Sequence, residues 1–152
     1  GQASSLLTKD REFGYRSAMK QAELPIEDGW VIDGDLTIAG SRKATRNLMN
    51  HVNRPTAIFC ANDEMAIGCI HEIKSAGLQV PRDISIVGFD DIRYAEVSDP
   101  PLTTISQPAD EIGERVMYRL CRRIDANKDV SSGSEIVPHK LVIRQSAAKP
   151  AS

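Results

Sequence analysis

Two spacings of apolar residues divide the first hundred positions of the chain into helices and strands. Segments with apolar residues at helical spacing predict helices at 8–22, 41–52 and 62–77. Short, nearly unbroken apolar runs predict strands at 30–32, 56–60 and 84–89. Strand and helix alternate and every connection is short. This part of the chain is therefore predicted to form an α/β fold, with a parallel sheet flanked by helices on both faces.

The pattern changes after an Asp-Pro-Pro sequence at 99–101, which marks a loop. Residues 102–107 form an extended segment, and Pro108 opens a further helix that ends near Ile124. The apolar positions of this helix recur on one face and are Ile112, Val116, Met117, Leu120 and Ile124. A polar loop, a last strand and a tail are predicted at 127–134, 135–146 and 147–152.

Charge and composition narrow the class of function. The 152 residues carry a net charge of −2, and the pI is about 5.9. A domain that holds DNA by its own surface needs a basic excess to neutralise phosphates, so this chain by itself is not expected to bind nucleic acid. No apolar run approaches the roughly 20 residues of a membrane-spanning helix. With no secretory signal in view, a cytoplasmic location away from membranes is expected.

The cysteines and the known catalytic motifs give no sign of an enzyme. Cys60, Cys69 and Cys121 are odd in number and lack CxxC spacing, so they are interpreted as small buried side chains in a reducing compartment. The phosphate-binding patterns GxGxxG and GxxxxGK do not occur, and neither do GxSxG and HExxH. The chain is expected to be a binding module that uses no cofactor.

Polar residues follow three of the predicted strands, at the end where parallel sheets bind ligands. Asp35 follows the first strand, Asn62 the second, and Asp90 with Asp91 the third. Arg11 lies in the first turn of the opening helix and joins this rim if a strand precedes that helix. Carboxylate and amide oxygens accept hydrogen bonds from hydroxyl groups, and a guanidinium donates to them. Such a rim suits a neutral polyhydroxyl ligand.

Plainer interpretations of these residues stay open. Asn62 is equally well explained as a helix cap. Asp90 is also explained as a residue that holds a loop, and Asp90 with Asp91 as a Mg²⁺ site in an α/β enzyme. Arg11 near a helix start opposes the helix dipole, which favours a functional role.

Four blocks of residues form a recognisable set. They are Arg-Glu-Phe-Gly-Tyr at 11–15, Ala-Asn-Asp-Glu-Met-Ala at 61–66, Val-Pro-Arg-Asp-Ile-Ser-Ile-Val-Gly-Phe-Asp-Asp at 80–91, and Pro-Leu-Thr-Thr-Ile-Ser-Gln-Pro at 101–108. Their order and spacing resemble the lactose- and galactose-repressor family, and all of 54–108 shares the resemblance. The chain is identified as a member of this family of bacterial transcription repressors.

The resemblance implies a two-lobed effector-binding domain, similar to periplasmic sugar-binding proteins, of which this chain holds a part. Residues 1–104 are then the Rossmann-like C-terminal lobe without its first strand. The helix at 105–126 belongs to the N-terminal lobe, and the strand at 135–146 crosses back. The DNA-binding head is expected to be absent from the chain, and operator DNA to be bound only through that head.

The resemblance also implies which residues contact the effector. Those that hold the sugar or ribose hydroxyls are Arg11, Asn62 and Asp90. Those that face the base or its equivalent are Ser5, Leu7 and Leu36. The stretches 98–101 and 131–134 are most similar to cytidine repressors, so a nucleoside effector, cytidine, is expected. A sugar-binding transport module of the periplasmic type is the alternative.

The apolar stripe from Ile112 to Ile124 needs a partner if its helix leaves the lobe. Five apolar side chains in water forfeit roughly 1.5–3 kcal/mol each, and so large a patch is unusual on a monomer. The helix is expected to pack on a second copy of the chain, to exchange with it, or to be displaced. The expected partners are thus a small effector, a second copy in a homodimer and, at the promoter, another transcription regulator.

Overall fold

The structure is a computed structural model that describes residues 6–125 and 133–149, with side chains from Thr8 onward. Its helices are α1 (Leu6–Gln21), α2 (Ile38–Met49), α3 (Asp63–Ser75) and α4 (Ala109–Ile124). Its strands are β1 (Ala57–Phe59), β2 (Ser85–Val87), β3 (Thr104–Ser106) and β4 (Lys140–Val142). Most of the loop predicted at 127–134 lies outside the described residues.

The strands form one parallel and one antiparallel pair. β1 pairs with β2 in parallel, with Ala57 opposite Ser85 and Phe59 opposite Val87. A parallel bridge from Val87 to Thr103 carries the sheet on towards β3, which pairs antiparallel with β4. The predicted α/β fold with a parallel sheet is confirmed, and an antiparallel edge is added to it.

The core lies between the parallel strands and α3, which buries eight of its 13 residues. At Gly68, α3 and α2 approach each other closely. A Cβ at Gly68 would overlap the Ser41 hydroxyl and lie 2.7 Å from the Ile38 carbonyl oxygen, so only glycine allows this crossing. The core cluster consists of Cys60, Met65, Ala66, Cys69, Ile70, Ile73, Ile84, Ile86, Ala95 and Leu102.

An ion-pair cluster joins the outer faces of α2 and α3. Glu72 accepts from Arg46 at 2.8 Å and from Arg42 at 2.9 Å, and its side chain is only 11% exposed. Hydrogen bonds from Arg46 and Arg42 lower the pKa of Glu72, with burial opposing them. This carboxylate stabilises the helix pair as an ion.

The strand predicted at 30–32 does not form. Among the described residues this segment has no neighbouring strand, and a strand exists only where a neighbour exchanges backbone hydrogen bonds with it. Trp30 instead donates its indole N–H to the Asn53 carbonyl oxygen at 2.8 Å. The prediction was wrong here because an apolar run shows burial but does not supply a strand partner.

The bounds of α2 also differ from the prediction. α2 begins at Ile38, before the predicted 41–52, because Thr37 caps it. The Thr37 hydroxyl accepts the Gly40 N–H at 3.0 Å, which fixes the first turn. The helix then ends at Met49, and Asn50 is its C-cap.

The last segment is both less regular and better anchored than predicted. Only Lys140–Val142 of the strand predicted at 135–146 pairs as a strand. Beyond it, Ser146 is fully buried, donates its hydroxyl to the Ile86 carbonyl at 2.6 Å, and accepts the Ile86 N–H at its own carbonyl at 2.7 Å. Ala148 exchanges hydrogen bonds with the Ser85 hydroxyl at 3.1 Å. The predicted tail is therefore held on β2 as far as residue 148.

Two further findings concern exposure. Cys60 and Cys69 are buried as predicted, but Cys121 is exposed, because it lies on α4, a helix without buried residues. The apolar stripe of α4 is exposed at Val116, Met117, Leu120 and Ile124, and half-buried at Ile112. No helix in the described part of the chain is long and apolar enough to cross a membrane.

Candidate effector-binding site

The amino end of α3 is fixed by Asn62, which has extended backbone dihedrals. Its side-chain oxygen accepts the Met65 N–H at 2.8 Å, so the predicted helix cap is confirmed. Its side-chain N–H donates to the Leu36 carbonyl oxygen at 3.2 Å. An asparagine amide has two donor and two acceptor positions, and these contacts use one of each.

The turn before α2 has an uncommon backbone conformation. Asp35 and Leu36 have φ values of 61° and 51°, a left-handed region that side chains other than glycine rarely adopt. The Asp33 carboxylate accepts the Asp35 N–H at 2.9 Å, and Asn62 holds Leu36 from the other side. Such strain persists only where surrounding contacts impose it and is concentrated at binding sites.

β2 leads into a second strained turn, at Asp90 and Asp91, with φ values of 111° and 55°. Asp90 accepts the Gln107 side-chain amide at 2.7 Å and the Arg11 guanidinium at 3.2 Å, both at Oδ1. Asp91 pairs with Arg144 at 2.8 Å. The two adjacent carboxylates therefore differ in role, because Asp90 faces the rim and Asp91 anchors the segment after β4.

Arg11 reaches from α1 across the ends of both parallel strands. Its guanidinium donates to the Ala61 carbonyl oxygen and to Asp90, and it lies 3.9 Å from the centre of the Phe89 ring. The ion pair and the cation–π contact together hold this side chain, which is 17% exposed. Since Ala61 follows β1 and Asp90 follows β2, Arg11 joins the two strand ends into one rim.

A buried carboxylate supports this rim from below. Asp63 is fully buried, and it accepts the Thr104 hydroxyl at 2.5 Å and the Ile92 N–H at 2.9 Å. A Cβ at Gly88 would overlap the carboxylate, so the chain passes this point only as glycine. Burial raises the pKa of Asp63, and the hydrogen bonds from Thr104 and Ile92 oppose that rise. Asp63 thereby joins α3, β3 and the turn after β2.

The structure brings together four of the residues singled out in the sequence. Arg11 contacts Asp90 directly, and Asn62 contacts Leu36 beside Ala61, which Arg11 also contacts. Asp35 is exposed on its turn. The two remaining predictions are not described: Ser5 lies outside the described residues, and Leu7 lies in α1 with its side chain outside the description.

Gln107 and Asp63 are the candidate positions at the rim that the sequence did not single out. Gln107 ends the extended segment predicted at 102–107 and directly follows β3, so the rule that ligand groups follow strands would have found it if that segment had been counted as a further strand of the sheet. Asp63 gave a weaker signal, since an acidic residue in a first helical turn is ordinary.

The side chains of the rim offer both donors and acceptors of hydrogen bonds. Within residues 6–125 and 133–149, no three His, Cys, Asp or Glu side chains cluster so as to hold a metal ion. Asp91 is already engaged by Arg144, a cation that opposes a second cation there. The chemistry on offer at the rim is a carboxylate, an amide and a guanidinium around strand ends.

A parallel sheet with helices and a polar rim at its carboxyl ends defines the class of protein. The family model described as periplasmic binding protein-like domain matches residues 1–147, so the chain belongs to this family. Within the family, the chain is similar to the effector-binding domain of LacI-type transcriptional regulators.

Two curated relatives and one solved structure illustrate the similarity. The ribose operon repressor of Escherichia coli is 49% identical over 111 residues, which are 73% of this chain and 34% of the relative. The transcriptional repressor PurR of Klebsiella pneumoniae is 39% identical over 135 residues, 89% of this chain and 39% of the relative. The dimeric Lac repressor has a TM-score of 0.89 at 30% identity, over 99% of this chain and 54% of that one. The chain thus spans between a third and about half of their lengths.

Proposed function

We propose that this domain binds the small-molecule effector of a bacterial transcription repressor and supplies the C-terminal-lobe half of the ligand shell. The supporting observation is the contact of Arg11 with Asp90 where the two parallel strands end. Asn62 stands beside them as the third polar residue, and Leu36 supplies an apolar surface. The domain acts by binding and has no catalytic step.

The rim suits hydroxyl groups on adjacent carbons. Both described donors reach Oδ1 of Asp90, so a ligand hydroxyl donates to Oδ2 while a neighbouring ring or hydroxyl oxygen accepts from Arg11. A polar group that reaches this half-buried carboxylate replaces water with charge-assisted hydrogen bonds, each worth about 1.5–3 kcal/mol. A sugar or the ribose of a nucleoside meets this requirement.

Among polyhydroxyl ligands we propose a nucleoside, with cytidine as the first choice. In this proposal the ribose contacts Arg11, Asn62 and Asp90. The base lies towards Leu36, Leu7 and Ser5, which are apolar or small. The similarity to the ribose operon repressor makes free ribose the second candidate.

In the longer regulator, the ligand bridges this lobe and a second one. Residues 1–104 form the C-terminal lobe, and α4 carries its stripe of Ile112, Val116, Met117, Leu120 and Ile124 to the second lobe or to the other subunit of a homodimer. Closure around the effector changes the fit of the dimer to operator DNA, which is bound through a separate head in the cytoplasm. A ligand shifts that equilibrium only by its different affinities for the two states.

The test is a titration of the ¹⁵N-labelled chain with cytidine, uridine, adenosine and ribose, followed by amide chemical shifts. Such shifts detect the weak binding that half a cleft allows. The key variant is Asp90→Asn, since asparagine tolerates the positive φ at this position. The matched control is Asp99→Asn, which removes the same charge from an exposed carboxylate paired with Lys74.

Cytidine is expected to shift the amides of Asn62 and of the turn at 90–92 at lower concentration than the other ligands. Asp90→Asn should weaken this binding at least about tenfold, and Asp99→Asn should leave it unchanged. If ribose alone causes equal shifts, the base does not contribute to binding, and the rim remains the site for the hydroxyl groups. If no ligand moves these amides, or if both variants bind alike, the rim is not the effector site.

A further inference from the structure

Two of the three cysteines lie against each other in the core. Cys60 directly follows β1, and Cys69 lies among the buried residues of α3. Both belong to the core cluster, and they are only 4% and 1% exposed. Their thiols are in hydrogen-bonding contact, whereas Cys121 is exposed on α4. The chain therefore holds a buried pair of thiols and, on a different helix, an exposed third one.

The two thiols of the pair differ in how readily they ionise. The hydrogen bond with Cys60 lowers the pKa of Cys69, and burial opposes this effect. The same hydrogen bond, followed by burial, raises the pKa of Cys60. The thiolate is the form of cysteine that attacks an oxidant. Cys69 is thus the sulfur that reacts first, and Cys60 lies beside it as a thiol that can react with the product.

We propose that Cys60 and Cys69 form a reversible disulfide when the chain meets hydrogen peroxide, and that this bond moves the end of β1 and weakens the effector rim. The effect on the rim rests on the proposed function, whereas the formation of the disulfide does not. Disulfides that form in reducing compartments are usually transient or redox-sensing. Because the pair is buried, the oxidant has to be small and uncharged, and hydrogen peroxide meets this requirement.

The reaction has two steps. In the first, the Cys69 thiolate attacks one oxygen of the peroxide, the O–O bond breaks, and the second oxygen leaves as hydroxide, which takes a proton to become water. This step leaves a sulfenic acid on Cys69. In the second, the Cys60 sulfur attacks the Cys69 sulfur, the S–O bond breaks, and the leaving hydroxide takes the Cys60 proton. Two thiols are oxidised to one disulfide, and one peroxide is reduced to two waters.

Bond formation has to displace one of the two cysteines. A disulfide holds its sulfur atoms about 2.0 Å apart, much closer than two thiols in contact. α3 is fixed on α2 by the close approach of Gly68 to Ile38 and by the ion pairs of Glu72. Cys60 is held to β2 by its backbone N–H, which donates to the Val87 carbonyl at 2.8 Å. The end of β1 is therefore the part that moves, towards α3.

A shift of Cys60 reaches the rim through the next two residues. The Ala61 carbonyl oxygen accepts from the Arg11 guanidinium, and Asn62 caps α3. When Cys60 moves towards α3, the Ala61 carbonyl moves with it, so Arg11 loses an acceptor that places its guanidinium beside Asp90. Oxidation should therefore weaken the binding of hydroxyl groups at the rim.

The test begins with the 152-residue chain carrying Cys121→Ala, which leaves only the buried pair of cysteines. The chain is treated with hydrogen peroxide, its free thiols are blocked in denaturant, and its peptides are weighed by mass spectrometry. The peptides that contain Cys60 and Cys69 should be joined, with the loss of two hydrogen atoms, and a dithiol reductant should separate them. Cys60→Ala in the same background should leave Cys69 oxidised but not joined.

Amide chemical shifts then test the effect on the rim. In the absence of ligand, oxidation should shift the amides of Ala61 and Asn62, and reduction should restore them. Cytidine and ribose should each bind the oxidised chain about threefold more weakly, or worse, than the reduced chain, as expected for the loss of one hydrogen bond. Asp90→Asn should form the disulfide as the unchanged chain does, which separates this test from that of the effector rim.

Three outcomes would overturn the proposal. The first is the absence of joined peptides at millimolar peroxide, while Cys121 of the unchanged chain is oxidised. The second is oxidation of Cys69 to a sulfinic acid without a bond to Cys60. The third is a disulfide that leaves the amides of Ala61 and Asn62 in place, which would refute the effect on the rim. Because oxidation and reduction act on one protein, the result stands even if Cys60→Ala fails to fold.

Failure of the proposed function would look different. If neither cytidine nor ribose binds the reduced chain, the rim is not the effector site and the predicted change in affinity is refuted with it. The joined peptides and the ligand-free amide shifts would still decide whether the disulfide forms and moves the end of β1.

Discussion

α3 and α4 are both amphipathic helices, yet their surroundings are opposite. α3 buries eight of 13 residues between the parallel strands and α2. α4 has 16 residues, none of them buried within the described part of the chain, and its apolar side chains from Val116 to Ile124 are 47–74% exposed. An amphipathic pattern thus shows that a helix has a partner without showing where the partner is.

The polar residues of the two helices differ in the same way. On α3, Asp63 and Glu72 are buried and make defined contacts with the sheet side and with α2. On α4, Arg115 pairs with Glu111 one turn away and with Glu135 on the surface, and exposed pairs of this kind contribute little. The contribution of a charged side chain to stability therefore depends on the surroundings of its helix.

The largest expected effect is that of Ile73→Ala on α3. Ile73 is fully buried in the core cluster, so its truncation removes apolar contacts and leaves a cavity. The free energy of unfolding should fall by about 2–5 kcal/mol, measured by urea denaturation. A loss below about 1 kcal/mol would mean that the core around α3 collapses to fill the space.

The next effect is that of Asp63→Asn, expected to cost about 1–3 kcal/mol at neutral pH. Both oxygens of Asp63 accept hydrogen bonds, whereas asparagine would turn a donor towards Thr104 or Ile92. Urea denaturation measures this loss. A comparison with Thr104→Val, which removes one of the two donors, would show how much of the loss comes from the hydrogen bond with Thr104.

The pH dependence of this variant follows from the raised pKa of Asp63. The folded chain binds the proton of the Asp63 carboxyl more tightly than the unfolded chain does. The stabilisation that this proton provides is therefore complete below the ordinary pKa of 3.8 and is lost as the pH rises through the pKa of the folded chain. The stability of the unchanged chain relative to Asp63→Asn should therefore increase as the pH is lowered from 7 towards 4. The opposite trend would show a carboxylate stabilised as an ion.

A smaller loss of stability, with the opposite pH dependence, is expected for Glu72→Gln. Arg46 and Arg42 lower the pKa of Glu72. The stabilisation that ionised Glu72 provides is therefore present above the ordinary pKa of 4.5 and is lost as the pH falls through the pKa of the folded chain. The variant should be less stable than the unchanged chain at pH 7 and nearly equal to it in strong acid. Raising the salt concentration should narrow the difference at pH 7, since the two arginines are half exposed.

The smallest effect is expected for Ile124→Ala on α4, within about 0.5 kcal/mol in a monomer. Ile124 is 74% exposed, so its truncation removes little packing. Ile73→Ala is the matched change on α3. A cost above about 1 kcal/mol that depends on protein concentration would show that α4 packs on a second copy of the chain. The difference in burial between α3 and α4 would then hold only for the monomer.

Local signals predicted α3 well and failed where a partner is distant in sequence. Asn62 was readable as a cap because its partner, Met65, is three residues away. The segment 30–32 has the composition of a strand, but its state depends on a neighbour that no local pattern supplies. The spacing of apolar residues therefore predicted the presence of the α3 helix, but it could not predict which strands pair.

The candidate site shows the same division. The strand-end rule found Asp90, which contacts Arg11 although 79 positions separate the two residues. It passed over Gln107, because the extended segment before it was not treated as part of the sheet. Asp63 was hidden for another reason: its burial results from Gly88 and Thr104, which reach it only once three segments have assembled.

The position of Ser146 bears on how the chain folds during synthesis. β2 obtains its outer hydrogen bonds from residues 60 to 63 positions later, at Ser146 and Ala148. At roughly 5–20 residues per second on the ribosome, those residues emerge about 3–12 s after β2. During that interval the amide of Ile86 and the hydroxyl of Ser85 have no native partner, so a nascent chain that has already packed α3 still carries an open strand edge.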